Sequence, residues 1–421
     1  MTDRLYYDQP ELMEFTARFA GFAAIARREG ELGILLDRTA FYPTSGGQLY
    51  DTGWIAGDDP RSPRVRVVEV AEQEDGSIIH YLDVEPLLGM PEGPQGIVTN
   101  EGATFRGFID VPRRRDHMQQ HTGQHVLSAA FIKLFDMPTV SFHMGDESCS
   151  IDLETKALSA DQVQQAEKLA NETVFSDVPV TIRYATPDEA RSLGIRKIPP
   201  EVREKLRLID VEGVDLTACG GTHVSRTGQI GPILLRKTEK VRQGMRVEFV
   251  CGQRAVSTAR RDYQTLTEAA GALSAHIWDL PAQVRKSLDD NKAAGKQQFK
   301  LLEELAELWA ARLLAETVEN AGFRLVKRVF LERDLAFIKM LGQKLTAGPT
   351  VVALLGCGSG QPALVFAQSP GQRFDMGALM KEAMAASGGR GGGSRDMAQG
   401  GVPDAGKVEA ALEQAAAKVR E

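Results

Sequence analysis

The chain has 421 residues, 43% of them hydrophobic and 25% charged, with a formal net charge of −7; this is too long for one ordinary core and fits two to four soluble globular domains. No run of 18 apolar residues occurs, and the N-terminal Met1–Phe15 lacks a basic segment followed by an apolar one, which excludes a membrane span and a secretory leader and points to the cytoplasm. Four unclustered cysteines exclude a disulfide framework, and the acidic balance argues against nucleic acid as a partner unless basic residues cluster locally.

Residues 1–112 read as short strands separated by turns. Ile34–Pro43, Trp54–Val84 and Phe105–Val111 mix β-branched and apolar residues with Gly, Pro and Asp, and no helical period competes, so a small antiparallel barrel is expected. Within it, Thr39 to Gln48 ends in Ser45-Gly46-Gly47-Gln48. One reading is a glycine turn between two strands. The other is a main chain that approaches a ligand closely, since Gly46 and Gly47 present no side chain.

Arg113, Arg114 and Arg115 follow, as a solvated face or as phosphate contacts one or two helical turns before the next motif. That motif is His121-Thr-Gly-Gln-His125. Two histidines four apart on a helix share one face and can reach a single ion. His117, four residues earlier, is placed at the exposed end of the run and given no role.

Pro138 ends the helix, and Thr139–Gly145 leads into an alternating strand, Cys149–Leu153. Residues 160–175 have helical spacing, with Val163, Ala166, Leu169 and Val174 as the buried stripe. A strand over 178–185 and a helix around 187–206 precede the second motif, Cys219-Gly-Gly-Thr-His223. Either pair alone is common in cores and on surfaces. Together they use three of the seven histidines and one of the four cysteines, and the donor types suit one zinc. Thr122 stands where a zinc peptidase of the HExxH kind carries its glutamate, so that chemistry is excluded.

From Ser225 to Arg254 there are seven basic residues, among them Arg236, Lys237, Arg242 and Arg246, against two acidic ones. Beside a zinc cleft this is either a landing surface for RNA phosphates or a salt-bridged strand face. Residues 253–320 predict two long amphipathic helices, a stalk whose apolar stripes pair with each other or with a second chain. Residues 321–421 predict a small α/β unit of strands over Phe323–Leu331, Thr350–Gly356 and Ala363–Ser369 with helices near 333–346, 376–386 and 404–420. Its Ser387–Gly401 stretch, with Arg390 and Arg395 among glycines, is an open backbone suited to a phosphate or a flexible linker.

His121–Phe131 (HTGQHVLSAAF) followed by Cys219–Pro232 (CGGTHVSRTGQIGP) resembles the editing domain of alanyl-tRNA synthetase and its free-standing relatives, the long-form AlaX alanyl-tRNA editing proteins. The resemblance extends over nearly the whole chain. It implies hydrolysis of wrongly charged tRNA(Ala) at a zinc held by His121, His125, Cys219 and His223. The Thr39–Gln48 segment is similar to the family's glycine-rich motif, which faces the zinc across a cleft; its third glycine is Ser45 here. The resemblance implies that Thr39 recognises a serine hydroxyl, that Gly46, Gly47 and Gln48 border the substrate, and that His143 lines the pocket. A site built around a hydroxyl favours serine over alanine, because a buried unpaired hydroxyl costs about 1 to 3 kcal/mol. The C-terminal glycine-rich stretch resembles the C-terminal domain of alanyl-tRNA synthetase, also found in DHH-type phosphoesterases, although no Asp-His-His tripeptide occurs.

The expectation is therefore an α+β chain in four parts: a β-barrel (1–112), a zinc-binding editing domain (113–252), a helical stalk (253–320) and a glycine-rich α/β domain (321–421). Its expected activity is trans-editing of tRNA(Ala) mischarged with serine, and of the glycine ester. Arg113, Arg114, Arg236, Lys237, Arg242, Arg246, Arg390 and Arg395 are the expected tRNA contacts, and a homodimer through the stalk or the C-terminal domain is the further partner. No synthetase ATP-binding domain precedes the editing-like region, so aminoacylation is not expected. Two other readings compete: a zinc-stabilised RNA-binding module without hydrolase activity, and a zinc hydrolase of another small ester or amide.

Overall fold

A computed structural model describes residues 2–23, 31–58, 62–85, 103–195, 205–242 and 244–421. The chain divides into two compact units, Met1–Leu266 and Thr267–Glu421.

The first unit opens with β1 (Asp3–Arg4), β2 (Glu14–Phe22), β3 (Glu31–Leu36), β4 (Arg38–Thr39), β5 (Gly53–Gly57), β6 (Val65–Glu72), β7 (Ile78–Asp83) and β8 (Thr104–Ile109). Six of these close into a barrel in the order β2-β3-β7-β6-β5-β8. Alternation decides which side chains fill it. Along β2, Phe15, Ala17 and Phe19 point inward and pack with Ile34, Phe41, Val67 and Phe105. The expected small antiparallel barrel is present.

Helix α1 (Val111–Phe135) leaves the barrel directly. Asp110 caps it by accepting from Arg113 N at 3.4 Å, Pro112 sits in the first turn where its missing N–H is harmless, and Asp136 ends it in a left-handed conformation. Most of α1 is buried, polar residues included. It lies under β9 (Thr139–Met144), β10 (Cys149–Leu153) and α2 (Ala160–Phe175), followed by β11 (Val180–Ala185), α3 (Pro187–Ser192), β12 (Leu206–Val211), β13 (Asp215–Ala218), β14 (Ile233–Val241) and β15 (Gly244–Cys251). The strands form an antiparallel sheet β14-β15-β10-β9 and a second one, β11-β12-β13. Val126, Leu127 and Phe131 of α1 join Ile151, Ala170, Ile209 and Phe249 in one core.

Three local expectations need correction. Among the described residues, the helix placed around 187–206 is α3, a single capped turn and a half, and residue 206 already begins β12; positions 196–204 lie outside the described residues. On α2 the fully buried residues are Ala166, Ala170 and Val174, while Val163 and Leu169 are only half-buried. His117 is buried rather than exposed, and burial among Arg113, Arg254 and Arg114 lowers its pKa to about 3.

Helix α4 (Gly252–Ala272) carries the chain into the second unit, where α5 (Leu280–Glu316) precedes β16 (Arg324–Phe330), α6 (Leu335–Thr346), β17 (Val351–Cys357), β18 (Ala363–Gln368), α7 (Met376–Ser387), β19 (Arg390–Gly393), β20 (Met397–Gly401) and α8 (Gly406–Arg420). The five-stranded sheet runs β16-β17-β18-β20-β19. β17 and β18 are buried along their whole length because both faces are covered. Val352 and Leu354 meet α7 and α8 on one side, and Val351, Ala353 and Leu355 meet α5 and α6 on the other. The last turns of α5 therefore belong to this core through Ala306, Ala310 and Leu313. The glycine-rich stretch is a β-hairpin, not an open loop: Arg390 pairs with Gly401 and Gly393 with Ala398. Among the described residues, no helix is long and apolar enough to cross a membrane.

Candidate metal centre

The two half-sites meet. His121 and His125 project from one face of α1, and the loop after β13 folds back so that the ligand atoms of His121, His125, Cys219 and His223 all lie within 4.8 Å of one another. Cys219 Sγ is 3.4 Å from His121 Nε2 and 3.3 Å from His223 Nε2. A tetrahedral shell with bonds of about 2.0 to 2.3 Å puts neighbouring donors roughly 3.3 to 3.8 Å apart, so the spacing fits one ion. The donor set, three imidazoles and a thiol, fits as well.

Each imidazole is held from behind through Nδ1. His121 Nδ1 donates to Gln48 Oε1 at 2.8 Å, and the same oxygen accepts Thr222 N–H at 3.0 Å while Gln48 Nε2 donates to Thr222 Oγ1 at 2.8 Å. His125 Nδ1 donates to Asp215 Oδ2 at 3.0 Å. His223 Nδ1 donates to Thr122 Oγ1 at 3.2 Å, which also accepts Val224 N–H at 3.1 Å. The amide oxygen of Gln48 and the carboxylate of Asp215 accept from Nδ1 of His121 and His125 and so turn their Nε2 atoms toward the shared centre.

The electrostatics favour a thiolate at Cys219. Burial opposes ionisation of the Cys219 thiol, but the His121 and His223 imidazoles beside it prevail and hold its pKa well below the ordinary value. Burial likewise opposes charge on His125, yet its bonds to Asp215 and to the Cys219 sulfur raise it to about 10. Burial lowers His223 to about 3.

The cluster opens on a cavity of 680 Å³ bordered by Gly46, His121, His125, Phe142, Asp215 and Cys219. Phe142 stacks on His121, with ring centroids 5.4 Å apart and planes at 28°. Gly47, at φ +85°, carries the barrel loop so close to this strand that a Cβ there would lie 2.7 Å from Phe142 O.

Several expected site residues stand elsewhere. Gln48 is fully buried behind His121 and does not border the cavity. Thr39 is also fully buried and absent from the cavity wall; its hydroxyl bonds His80 Nε2 at 2.8 Å and accepts Phe41 N–H at 3.0 Å. His143 alternates with Phe142 on β9 and so faces away from the cavity, toward Asp152 at 3.9 Å. Arg114 is not a surface cation: its side chain and that of Asp51 are both 0% exposed and ion-paired, with Nε 3.0 Å from Oδ2. It cannot meet a phosphate without unfolding.

The other cations are accessible. Arg113 lies over Tyr50 and donates to its carbonyl at 2.9 Å. Arg236 pairs with Asp262, Lys237 with Glu239, and Arg246 with Asp152. Arg242 is exposed at the end of β14, and in the second unit Arg390 borders a separate cavity of 770 Å³ while exposed Arg395 donates to Phe374 O at 3.4 Å.

Sequence reading missed Asp215, Thr122 and Phe142. Thr122 had a signal, since it lies between the two helix ligands. Asp215 had only its place four residues before Cys219. The loop itself is unforgiving: a Cβ at Gly221 would sit 2.1 Å from His121 Cε1 and 3.0 Å from Gln48 Oε1. Gly221→Ala is expected to displace His121, with a loss of about 1 to 3 kcal/mol from overpacking and a marked weakening of metal binding. Thermal melts with and without added metal check it, and an unchanged metal-induced rise in Tm would overturn it.

The comparisons with known proteins agree with this geometry. Residues 206–247, which carry the second half-site, match the threonyl and alanyl tRNA synthetase second additional domain. Residues 2–90, most of the barrel, match tRNA synthetases class II (A), and residues 338–421 match the DHHA1 domain. The alanine-tRNA ligase of Pyrococcus abyssi is 31% identical over 98% of this chain but only 43% of its own, so this chain spans less than half the length of that relative. The crystal structure of the C-Ala domain from Aquifex aeolicus alanyl-tRNA synthetase matches 23% of this chain and 94% of its own at 27% identity, with a TM-score of 0.20 that carries no argument about fold. Alanyl-tRNA editing protein AlaX-L of Pyrococcus horikoshii is 30% identical over 410 residues, covering 96% of this chain and 95% of that one. With the likeness running end to end in both proteins, and with its two half-sites joined in space, this chain belongs to the family of that editing protein.

Proposed function

We propose that this protein hydrolyses the ester that joins serine, and secondarily glycine, to tRNA(Ala). The observation that carries the proposal is the four-donor cluster at the floor of an open cavity, in a chain alike over its full length to a protein named for alanyl-tRNA editing. Zinc is the proposed ion, by its preference for imidazole and thiolate in a tetrahedral shell. Held by His121, His125, Cys219 and His223, it would supply Lewis acidity at the ester carbonyl or the attacking water.

The chain's own residues do the rest. Gln48, Asp215 and Thr122 hold the three rings in register. Phe142 and the Gly46–Gly47 turn close one side of the cleft and keep bulk water from His121. Gln124, Ser128, Thr139 and Thr217 in the cavity lining offer partners to a serine hydroxyl, which a bare methyl would leave unpaired. Arg113, Arg236, Lys237, Arg242 and Arg246 supply phosphate contacts from the first unit, and Arg390 and Arg395 supply them from the second.

The test is release of amino acid from tRNA(Ala) charged separately with serine, glycine and alanine. Serine is expected to be released fastest and alanine slowest. Turnover of small esters without any of the three would favour a different hydrolase. A shell of four protein donors also suits a structural ion, and on that reading tRNA is bound but nothing is released.

A further inference from the structure

The Cys219–His223 loop carries two of the four donors but has two glycines between them, so its own side chains do little to hold Cys219 in place. Arg207 on β12 grips that residue from both ends. The main-chain oxygen of Arg207 accepts Cys219 N–H at 3.2 Å, and its Nη1 donates to Cys219 O at 2.6 Å and to Gly221 O at 3.0 Å. Nε donates to Tyr7 O at 2.9 Å, and the guanidinium lies 5.5 Å from the centre of the Tyr7 ring. Arg4, paired with Glu72 of the barrel, lies at the same distance from that ring. The contacts thus run from barrel to Tyr7 to Arg207 to Cys219.

Arg207 is 7% exposed, and among the described residues no carboxylate is paired with it. A buried charge without a counter-ion is costly unless dipoles solvate it. Here the dipoles are the carbonyls of Tyr7, Cys219 and Gly221. Among the described residues its Nη2 has no hydrogen-bond partner. A lysine carries the same charge but lacks the planar fork that spans separate carbonyls.

We infer that Arg207 is a positioning residue, clamping the Cys219 carbonyl and amide so that the sulfur is delivered to the metal at the distance the imidazoles require. It touches neither ion nor substrate. The inference rests on the reading that the cluster holds a metal.

The test uses the full chain, stripped of metal and titrated with Co²⁺ and with Zn²⁺ against a chelator. Wild-type protein is expected to give a thiolate-to-cobalt charge-transfer band with the visible bands of a tetrahedral site. Arg207→Lys and Arg207→Gln are expected to weaken the Kd for both ions about 10- to 100-fold and to lower or shift the thiolate band per bound cobalt, with unchanged far-ultraviolet circular dichroism. If either folded variant keeps the wild-type band and Kd, or if both variants lose the fold of the metal-free chain, the positioning role is wrong. Wild-type protein that takes up cobalt without a thiolate band removes the metal reading itself, and the inference with it.

Discussion

His125→Ala is expected to lower release of serine from Ser-tRNA(Ala), the proposed substrate, by about a thousandfold or more, because the alanine removes a donor and leaves Asp215 facing an empty position. Lewis-acid stabilisation of a developing oxyanion is worth several kcal/mol, and each 1.4 kcal/mol is a factor of ten in rate. The loss is expected in kcat, with the KM for tRNA nearly unchanged, since of the basic residues proposed to hold phosphates Arg113 lies about three turns earlier on α1 and the rest lie on other elements. Single-turnover deacylation at saturating protein, with metal content measured on the same sample, checks it. Activity within tenfold of wild type at full loss of metal would mean that the ion is structural.

The second large effect is on stability. Arg114→Ala strips the partner from Asp51, a carboxylate fully buried beneath the glycine-rich loop, which also accepts Tyr42 N–H at 2.7 Å. Breaking a buried pair by removing one side costs about 3 to 5 kcal/mol, here increased by the loss of the guanidinium's bonds to Pro10 O and Ala40 O. For a unit of this size that is a fall in Tm of roughly 10 °C or more. Arg114→Met with Asp51→Leu is expected to recover much of the loss, since no uncompensated charge then remains. Affinity of the folded single variant for tRNA should match wild type. A variant that melts normally but binds tRNA more weakly would restore Arg114 as a phosphate contact.

Arg114 also marks where sequence reading stops. A run of three arginines before a metal helix has the composition of a surface, and its burial depends on Asp51, 63 positions earlier. The barrel, α1 and the sandwiched sheet of the second unit were legible because their signals are local: alternation, capping residues, apolar runs. Convergence of the two half-sites was legible because histidine and cysteine are scarce in this chain. The finer site was not. Whether His143 or Phe142 faces the four-donor cluster is a matter of one-residue parity on β9, and Gln48 meets His121 only through tertiary folding. The glycine-rich stretch near the C-terminus has the composition of a linker, and its pairing with β20 is what makes it a strand.

Closure of the barrel bears on how the molecule behaves when crowded. Each of its six strands is hydrogen-bonded on both sides, so none offers a bare rim onto which another polypeptide can zip. The sheet of the second unit does end in outer strands. One bears Arg324, Lys327 and Arg328, and the other is Arg390 followed by three glycines; charge on the first and weak strand propensity on the second make both poor templates for a growing fibre.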